Sequence, residues 1–172
     1  MKTLLSLVLI ALFFLPFEAM AQNRAERREQ RRQQERQLRA EVARIVGSEN
    51  FSLLLVFHPE PNLNLSGGGA IMQDKRIVTV RNDSIFGALP FIGRSTVSVY
   101  QSTGGGGFEF SDPIQMSEIK TRNRDFYISL LVHHPGESLR ITIKIGFSGE
   151  ATMTIQSNRR ARARYLGSLI FV

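Results

Sequence analysis

The sequence contains no cysteine and no tryptophan, and it has three tyrosines among 172 residues. Without cysteine it can form no disulfide, no cysteine-ligated zinc site and no thiol nucleophile, and no lipid can be attached to an N-terminal cysteine. So few Trp and Tyr residues leave the aromatic girdles of an outer-membrane barrel poorly supplied, which disfavours that class. A folded domain of this size must therefore be held together by the packing of its apolar side chains.

Long apolar runs are also scarce, and the longest lies near the start, at residues 4–17. It is shorter than the roughly 20 residues that a membrane-spanning helix needs, and Pro16 interrupts it. Ala19 and Ala21 follow at the spacing that signal peptidase recognises. We expect residues 1–21 to be a cleavable signal peptide, no transmembrane segment to remain after cleavage, and the mature chain to be periplasmic or secreted.

Positive charge is in excess, with 22 Lys and Arg against 15 Asp and Glu, and it is unevenly distributed. Residues 24–44 hold eight Arg and four Glu, with neither Gly nor Pro, among many other good helix formers. Four apolar residues recur at the spacing of one helix face: Leu38, Val42, Ile45 and Val46. We predict that residues 22–47 form a charged helix that docks through its C-terminal half.

Beyond Gly47 the apolar pattern changes to the period of two that is typical of β-strands. Asn82-Asp83 separates two such segments and predicts a hairpin turn. Three further short strands are predicted at residues 95–100, 107–111 and 114–121. Eight to ten strands at roughly 10-residue spacing predict a mainly β domain over residues 48–172, preceded by the one helix. The pattern fits an antiparallel sandwich or a small β-barrel, and it leaves both open.

Candidate chemistry is sparse. The three histidines, His58 and the pair His133-His134, each fall at the end of a predicted strand, without a spacing that indicates a metal site. We therefore assign no catalytic residue, cofactor or metal. An enzyme would require one of these histidines to lie near a carboxylate in the folded chain.

Arginines alternate near the C-terminus, at Arg160, Arg162 and Arg164. On a strand this spacing would place three guanidinium groups on one face, which is a candidate site for phosphate or sulfate. The alternative is a solvent-exposed row that protects the last hairpin from edge pairing. For an exported chain the matching anions are lipid head groups or acidic polysaccharide, and nucleic acid is disfavoured because few aromatic residues lie nearby.

Several stretches together are similar to the DUF4251 family of exported domains, typical of Bacteroidota. They are residues 80–94 with Leu89-Pro90-Phe91, the segment Gly107-Phe-Glu-Phe110, and residues 149–160 followed by Tyr165-Leu-Gly167. The resemblance implies a β-rich envelope or secreted domain with no established activity, so no catalytic residue is carried over. Many members look like lipoproteins, whereas this chain lacks the cysteine and is expected to be unanchored.

These observations favour a non-enzymatic, envelope-associated binding or interaction module. Its ligand would be an apolar small molecule or an anion, bound on a concave sheet face or at a barrel mouth beneath the glycine-rich residues 67–69 and 104–107. Two alternatives stay open: a periplasmic hydrolase that acts on envelope polymers, and a protein that tethers itself to anionic surfaces through its arginines.

Overall fold

The computed structural model describes residues 26–58, 74–91 and 107–171. They form one α-helix and eight β-strands. The predicted signal peptide, the predicted strand at residues 95–100 and the glycine-rich residues 67–69 and 104–106 lie outside the described residues. Within the described part, no helix is both long enough and apolar enough to cross a membrane.

Helix α1 covers residues 26–47 and ends where Gly47 and Ser48 follow its last apolar residue. The Ser48 hydroxyl donates to the Ile45 carbonyl (2.8 Å), and Glu49 takes a left-handed conformation (φ 55°), so the chain leaves the helix through a capped turn. Every residue from 26 to 41 is exposed. Burial begins at Val42 and continues through Ile45 and Val46, so the C-terminal half of the helix is the part that carries core residues.

The strands follow one another around a closed barrel. They are β1 (Phe51–His58), β2 (Lys75–Arg81), β3 (Ser84–Leu89), β4 (Phe108–Arg122), β5 (Asp125–His134), β6 (Glu137–Ile145), β7 (Glu150–Ser157) and β8 (Ala163–Ile170). Each pairs antiparallel with the next, and β1 pairs with β8 in the register Leu53↔Leu169. The prediction of a helix followed by an antiparallel β domain is confirmed, and of its two alternatives the structure is the barrel.

The barrel interior is filled by side chains from alternating strand positions. In β6 the inward residues Leu139, Ile141, Ile143 and Ile145 are fully buried, whereas Arg140 and Lys144 between them are exposed. Each such Leu or Ile contributes roughly 1.5–3 kcal/mol through burial, and a barrel of eight strands is narrow enough for side chains to fill it.

Strand β4 differs from its prediction as two short segments. It runs unbroken for 15 residues and has a bulge between Ile114 and Met116. Pro113 falls at the last residue pair of the β3 ladder, opposite Ser84. A missing N–H interrupts pairing least at such a position, so the proline does not divide the strand.

Candidate functional site

The interior is apolar at every level except one end. That end, called here the polar end, is where β1, β3, β5 and β7 finish and the even-numbered strands begin. Strand alternation turns a polar residue inward at three places there: His134 ends β5, Glu137 begins β6 and Ser157 ends β7. Glu137 is the one charged or polar residue that is buried within the described part of the chain.

Glu137 is held by two donors. Its Oε1 accepts from Arg160 Nη2 at 2.9 Å, and its Oε2 accepts from the Ser157 hydroxyl at 2.7 Å. The side chains of Arg160 and Glu137 are only 12% and 3% exposed. Because a buried carboxylate without partners is costly, this pairing is what allows a charge inside the barrel.

Arg160 also joins the ion pair to the aromatic residues around it. Its Nη1 donates to the Gly107 carbonyl at 2.7 Å, just before β4 begins. Its guanidinium carbon lies 4.8 Å from the ring centre of Phe108 and 5.9 Å from that of Phe91, which are cation–π distances. One side chain therefore connects β6, the start of β4 and the end of β3.

A second polar pair lies beside the first. His134 Nδ1 donates to Asp112 Oδ2 at 2.8 Å, since an ionised carboxylate can only accept. The His134 and Asp112 side chains are half-buried, and Asp112 shares the inward face of β4 with Phe108 and Phe110. This bond places a proton on Nδ1, so in the neutral imidazole Nε2 is the acceptor nitrogen.

Tyr165 completes the polar end from β8. Its ring is fully buried and packs edge-to-face on Phe57, and its hydroxyl donates to the Pro90 carbonyl at 2.8 Å. Burial raises the pKa of the Tyr165 hydroxyl well above its usual value of 10, and the positive charge of Arg160 opposes that rise. The segment Leu89-Pro90-Phe91, where β3 ends, is thus held in place by the Tyr165 hydroxyl.

The three arginines predicted as an anion site occupy different positions. Strand β8 begins at Ala163, so of the three only Arg164 lies on it, with its side chain outward. Arg162 lies exposed in the connection before β8, and Arg160 turns inward to Glu137. The exposed candidates are therefore Arg162 and Arg164, and their binding of an anion stays a prediction.

The histidines separate in the same way. His58 and His133 are exposed at the ends of β1 and β5, whereas His134 meets Asp112. Among residues 26–58, 74–91 and 107–171, no three His, Asp or Glu side chains come together as metal ligands.

Sequence reasoning missed Glu137, although a signal for it exists. The alternation of Leu139, Ile141 and Ile143 extends backward by one step to Glu137, which places that carboxylate inside. Its partner could not be found in this way, because Arg160 lies outside any strand ladder that the alternation predicts.

These features define a class of protein: a helix followed by a closed, up-and-down, eight-stranded barrel with a buried ion pair at one end. Within that class the family is shown by a match of the DUF4251 model, a domain of unknown function, to residues 33–169. The chain therefore belongs to the DUF4251 family.

Among solved structures with a similar fold is the crystal structure of a DUF4251 family protein from Bacteroides eggerthii. It aligns with a TM-score of 0.52 and 17% sequence identity, over 77% of this chain and 87% of that chain. At this identity the likeness concerns the fold alone. No curated protein matches the chain.

Proposed function

We propose that this protein is an exported binding or interaction module of the Bacteroidota envelope, periplasmic or secreted, whose ligand contacts the polar end of the barrel. Export is supported by the signal-peptide pattern of residues 1–21, and the lineage by the family. The observation that carries the proposal is the set of inward polar groups at one end of an otherwise apolar interior.

Stability alone does not account for these groups. Apolar residues of similar size in place of a buried ion pair are often neutral or stabilising, because removing two charges from water costs free energy. The opposite end of the barrel shows the simpler solution, since Val42, Ile45 and Val46 bury apolar surface there. We therefore attribute the polar groups inside this end of the barrel to recognition of a ligand.

The lining of the polar end matches a small molecule with an apolar body and a hydrogen-bonding group. Phe91 is half-buried and packs edge-to-face on Phe108, so part of its ring is available for apolar contact. The half-buried side chains of His134 and Asp112 supply polar atoms at the same end of the barrel. The Arg160 charge is balanced by Glu137, which favours a ligand that is neutral or carries a single charge.

Native mass spectrometry of protein purified gently from its own host tests the proposal. We expect a co-purifying small molecule that is lost or reduced in Phe91→Ala and in His134→Gln. Lys144→Gln, on the outer face of β6, is the matched control and should retain it. Repeated absence of any ligand from the wild-type protein, or equal retention by all three variants, contradicts the proposal.

One observation favours a second candidate, a hydrolase acting on envelope polymers. The hydrogen bond between His134 and Asp112 is the arrangement in which a carboxylate orients an imidazole for proton transfer. Release of soluble fragments from purified peptidoglycan by the wild-type protein, abolished by Asp112→Asn, would support it. No release above a protein-free control excludes peptidoglycan as the substrate.

The exposed arginines of α1 favour a third candidate, tethering to an anionic surface. All residues from 26 to 41 are exposed, and six Arg against four Glu lie among them. Sedimentation with phosphatidylglycerol vesicles should then fall steeply as salt is added, because exposed charges are screened. Binding that does not respond to salt, or no binding to these vesicles, contradicts it.

A further inference from the structure

Each half of β4 has a strand neighbour on one side only. β3 pairs with β4 from Phe108 to Pro113, and β5 pairs with it from Ile114 to Arg122. In the described part of the chain, residues 115–122 therefore present one row of backbone groups to which no strand is paired. We call these residues the free edge. An unpaired edge of this length is a template for adding another strand.

The free edge extends beyond the β2–β3 turn, because the β3–β4 ladder ends where Ser84 pairs with Pro113. A cavity of about 160 Å³ lies there, between the edge and the β2–β3 turn. Its inner lining is apolar and includes Phe51, Val80 and Leu130. Its rim is acidic, because Glu49 and Asp83 both line it. Phe51, Val80 and Leu130 are already buried, so a strand that paired with the free edge would cover mainly its backbone groups and the half-buried Ile119.

The outer face of the free edge carries one acidic and two basic side chains. Met116, Glu118, Lys120 and Arg122 are all exposed, and Met116, at 65%, has the most exposed large apolar side chain of the described residues. Within one chain, Lys120 Nζ lies 2.7 Å from Glu118 Oε1. A strand with the same sequence, running antiparallel, could set Glu118 of each copy opposite Lys120 of the other.

We propose that a second copy of this chain occupies the free edge, through antiparallel pairing of the two β4 strands about a two-fold axis at Ile119. In that register Glu118 of each copy lies opposite Lys120 of the other, and Met116 lies opposite Arg122. The interface is isologous and closes as a dimer. It is independent of the ligand proposed at the polar end.

The charges select this register over its neighbours. A shift of one residue would turn every side chain to the wrong face. If the two-fold axis lay at Glu118 or at Lys120 instead, Glu118 would face Glu118 or Lys120 would face Lys120. Like charges directly opposite each other destabilise a strand pair. Pairing about Ile119 avoids both.

The hairpin tip provides a second complementarity. In the same register the β4–β5 turn of one copy, residues 123–124, extends past Met116 of the other and approaches its β2–β3 turn, where the Ile114 N–H donates to the Asp83 carbonyl at 2.6 Å. The basic tip, with Arg122 and Arg124, thus meets the rim formed by Glu49 and Asp83. Attraction of opposite charges at this rim favours a second copy over an unrelated extended peptide.

Charge-reversal variants test the dimer by sedimentation velocity across a wide concentration range. We expect the wild-type chain to dimerise, and Glu118→Lys or Lys120→Glu alone to weaken dimerisation by about ten-fold or more, since each sets like charges opposite each other twice. The double variant should restore it, and a mixture of the two single variants should form the mixed dimer. Glu109→Lys, exposed on the β3-paired part of β4, is the matched control and should dimerise as the wild type does.

The absence of cysteine allows the register to be read directly. Oxidation of a mixture of Glu118→Cys and Lys120→Cys chains should give the mixed disulfide faster than either variant alone gives its own, because only the mixed pair lies directly opposite. A wild-type chain that stays monomeric at all concentrations overturns the proposal. A dimer whose stability is unchanged by both charge reversals also overturns it, because its interface would lie elsewhere. Binding of an unrelated peptide at the free edge, without dimerisation, overturns it as well.

Discussion

At the end where α1 meets β1, the barrel interior is covered by the aliphatic side chains of Val42, Ile45 and Val46, whereas the polar end is occupied by Glu137 and Arg160. Aliphatic closure stabilises through burial alone and needs no particular partner. Ionic closure depends on each partner, because a buried charge left alone is far costlier than a lost apolar contact. The aliphatic end therefore needs only apolar contact to close, whereas the polar end is where we propose that a ligand binds.

The largest effect is expected where the ion pair is broken. Glu137→Ala leaves the Arg160 guanidinium in its buried position without its carboxylate, and should lower the free energy of unfolding by about 3–5 kcal/mol. Urea denaturation measures it. The double change Glu137→Leu with Arg160→Met should recover most of the loss, because both charges are removed together. A loss below about 1 kcal/mol for Glu137→Ala would mean that the pair is not closed in solution.

A smaller effect is expected at the helix end. Ile45→Ala removes a buried aliphatic group and should cost about 2 kcal/mol, near the low end for such changes, because Ile45 is 8% exposed. Leu38→Ala on the same helix is the control, since Leu38 is 39% exposed, and should stay within about 0.5 kcal/mol. Equal costs for both, measured in urea, would show that the helix docks along more of its length.

Tyr165→Phe tests the polar end with a change of one atom. At neutral pH it removes the hydrogen bond to the Pro90 carbonyl and should cost about 1 kcal/mol. The raised pKa of Tyr165 means that the folded state keeps its proton above pH 10 while the unfolded state loses it. Stability from this group is thus complete below pH 10 and falls as pH rises beyond it. The Phe variant should show a shallower alkaline decline in thermal midpoint than the wild type, and an equal decline in both would contradict this role of Tyr165.

The smallest effect on stability is expected for the exposed arginines. Replacing Arg162 and Arg164 together by Ala should change the free energy of unfolding by less than about 0.5 kcal/mol. If they bind anions, the same variant should lose affinity for phosphatidylglycerol vesicles by about five-fold per charge, from roughly 1 kcal/mol each. Unchanged vesicle binding would leave these arginines as solvent-exposed charges only.

Local patterns predicted most of the elements. The helix follows from residues without Gly or Pro and from one apolar stripe, and its end at Gly47 follows from the change of period. The Asn82-Asp83 turn is confirmed between β2 and β3, with Asn82 at a positive φ of 52°. These features depend on neighbours within a few residues, which the sequence displays directly.

The candidate site was less accessible. Pairing of Arg160 with Glu137 joins the β7–β8 connection to the first residue of β6, and the contacts of Arg160 with Gly107 and Phe108 add the start of β4. Periodicity shows which face a residue takes, and it could have placed Glu137 inside. Periodicity does not show which residue from another part of the chain will contact a given side chain. For this reason Arg160, Arg162 and Arg164 were expected together on one face.

The sequence by itself determined that this chain is a helix followed by antiparallel strands, because helix propensity and alternation act between near neighbours. Tertiary structure decided that the sheet closes, since pairing of β1 with β8 joins residues as distant as Ser52 and Ile170. It also decided where closure is incomplete. Strand stagger in a closed barrel carries β4 past Ser84, the first residue of β3. That geometry, rather than any motif, leaves the free edge at one end of the barrel, and the buried charges lie at the other.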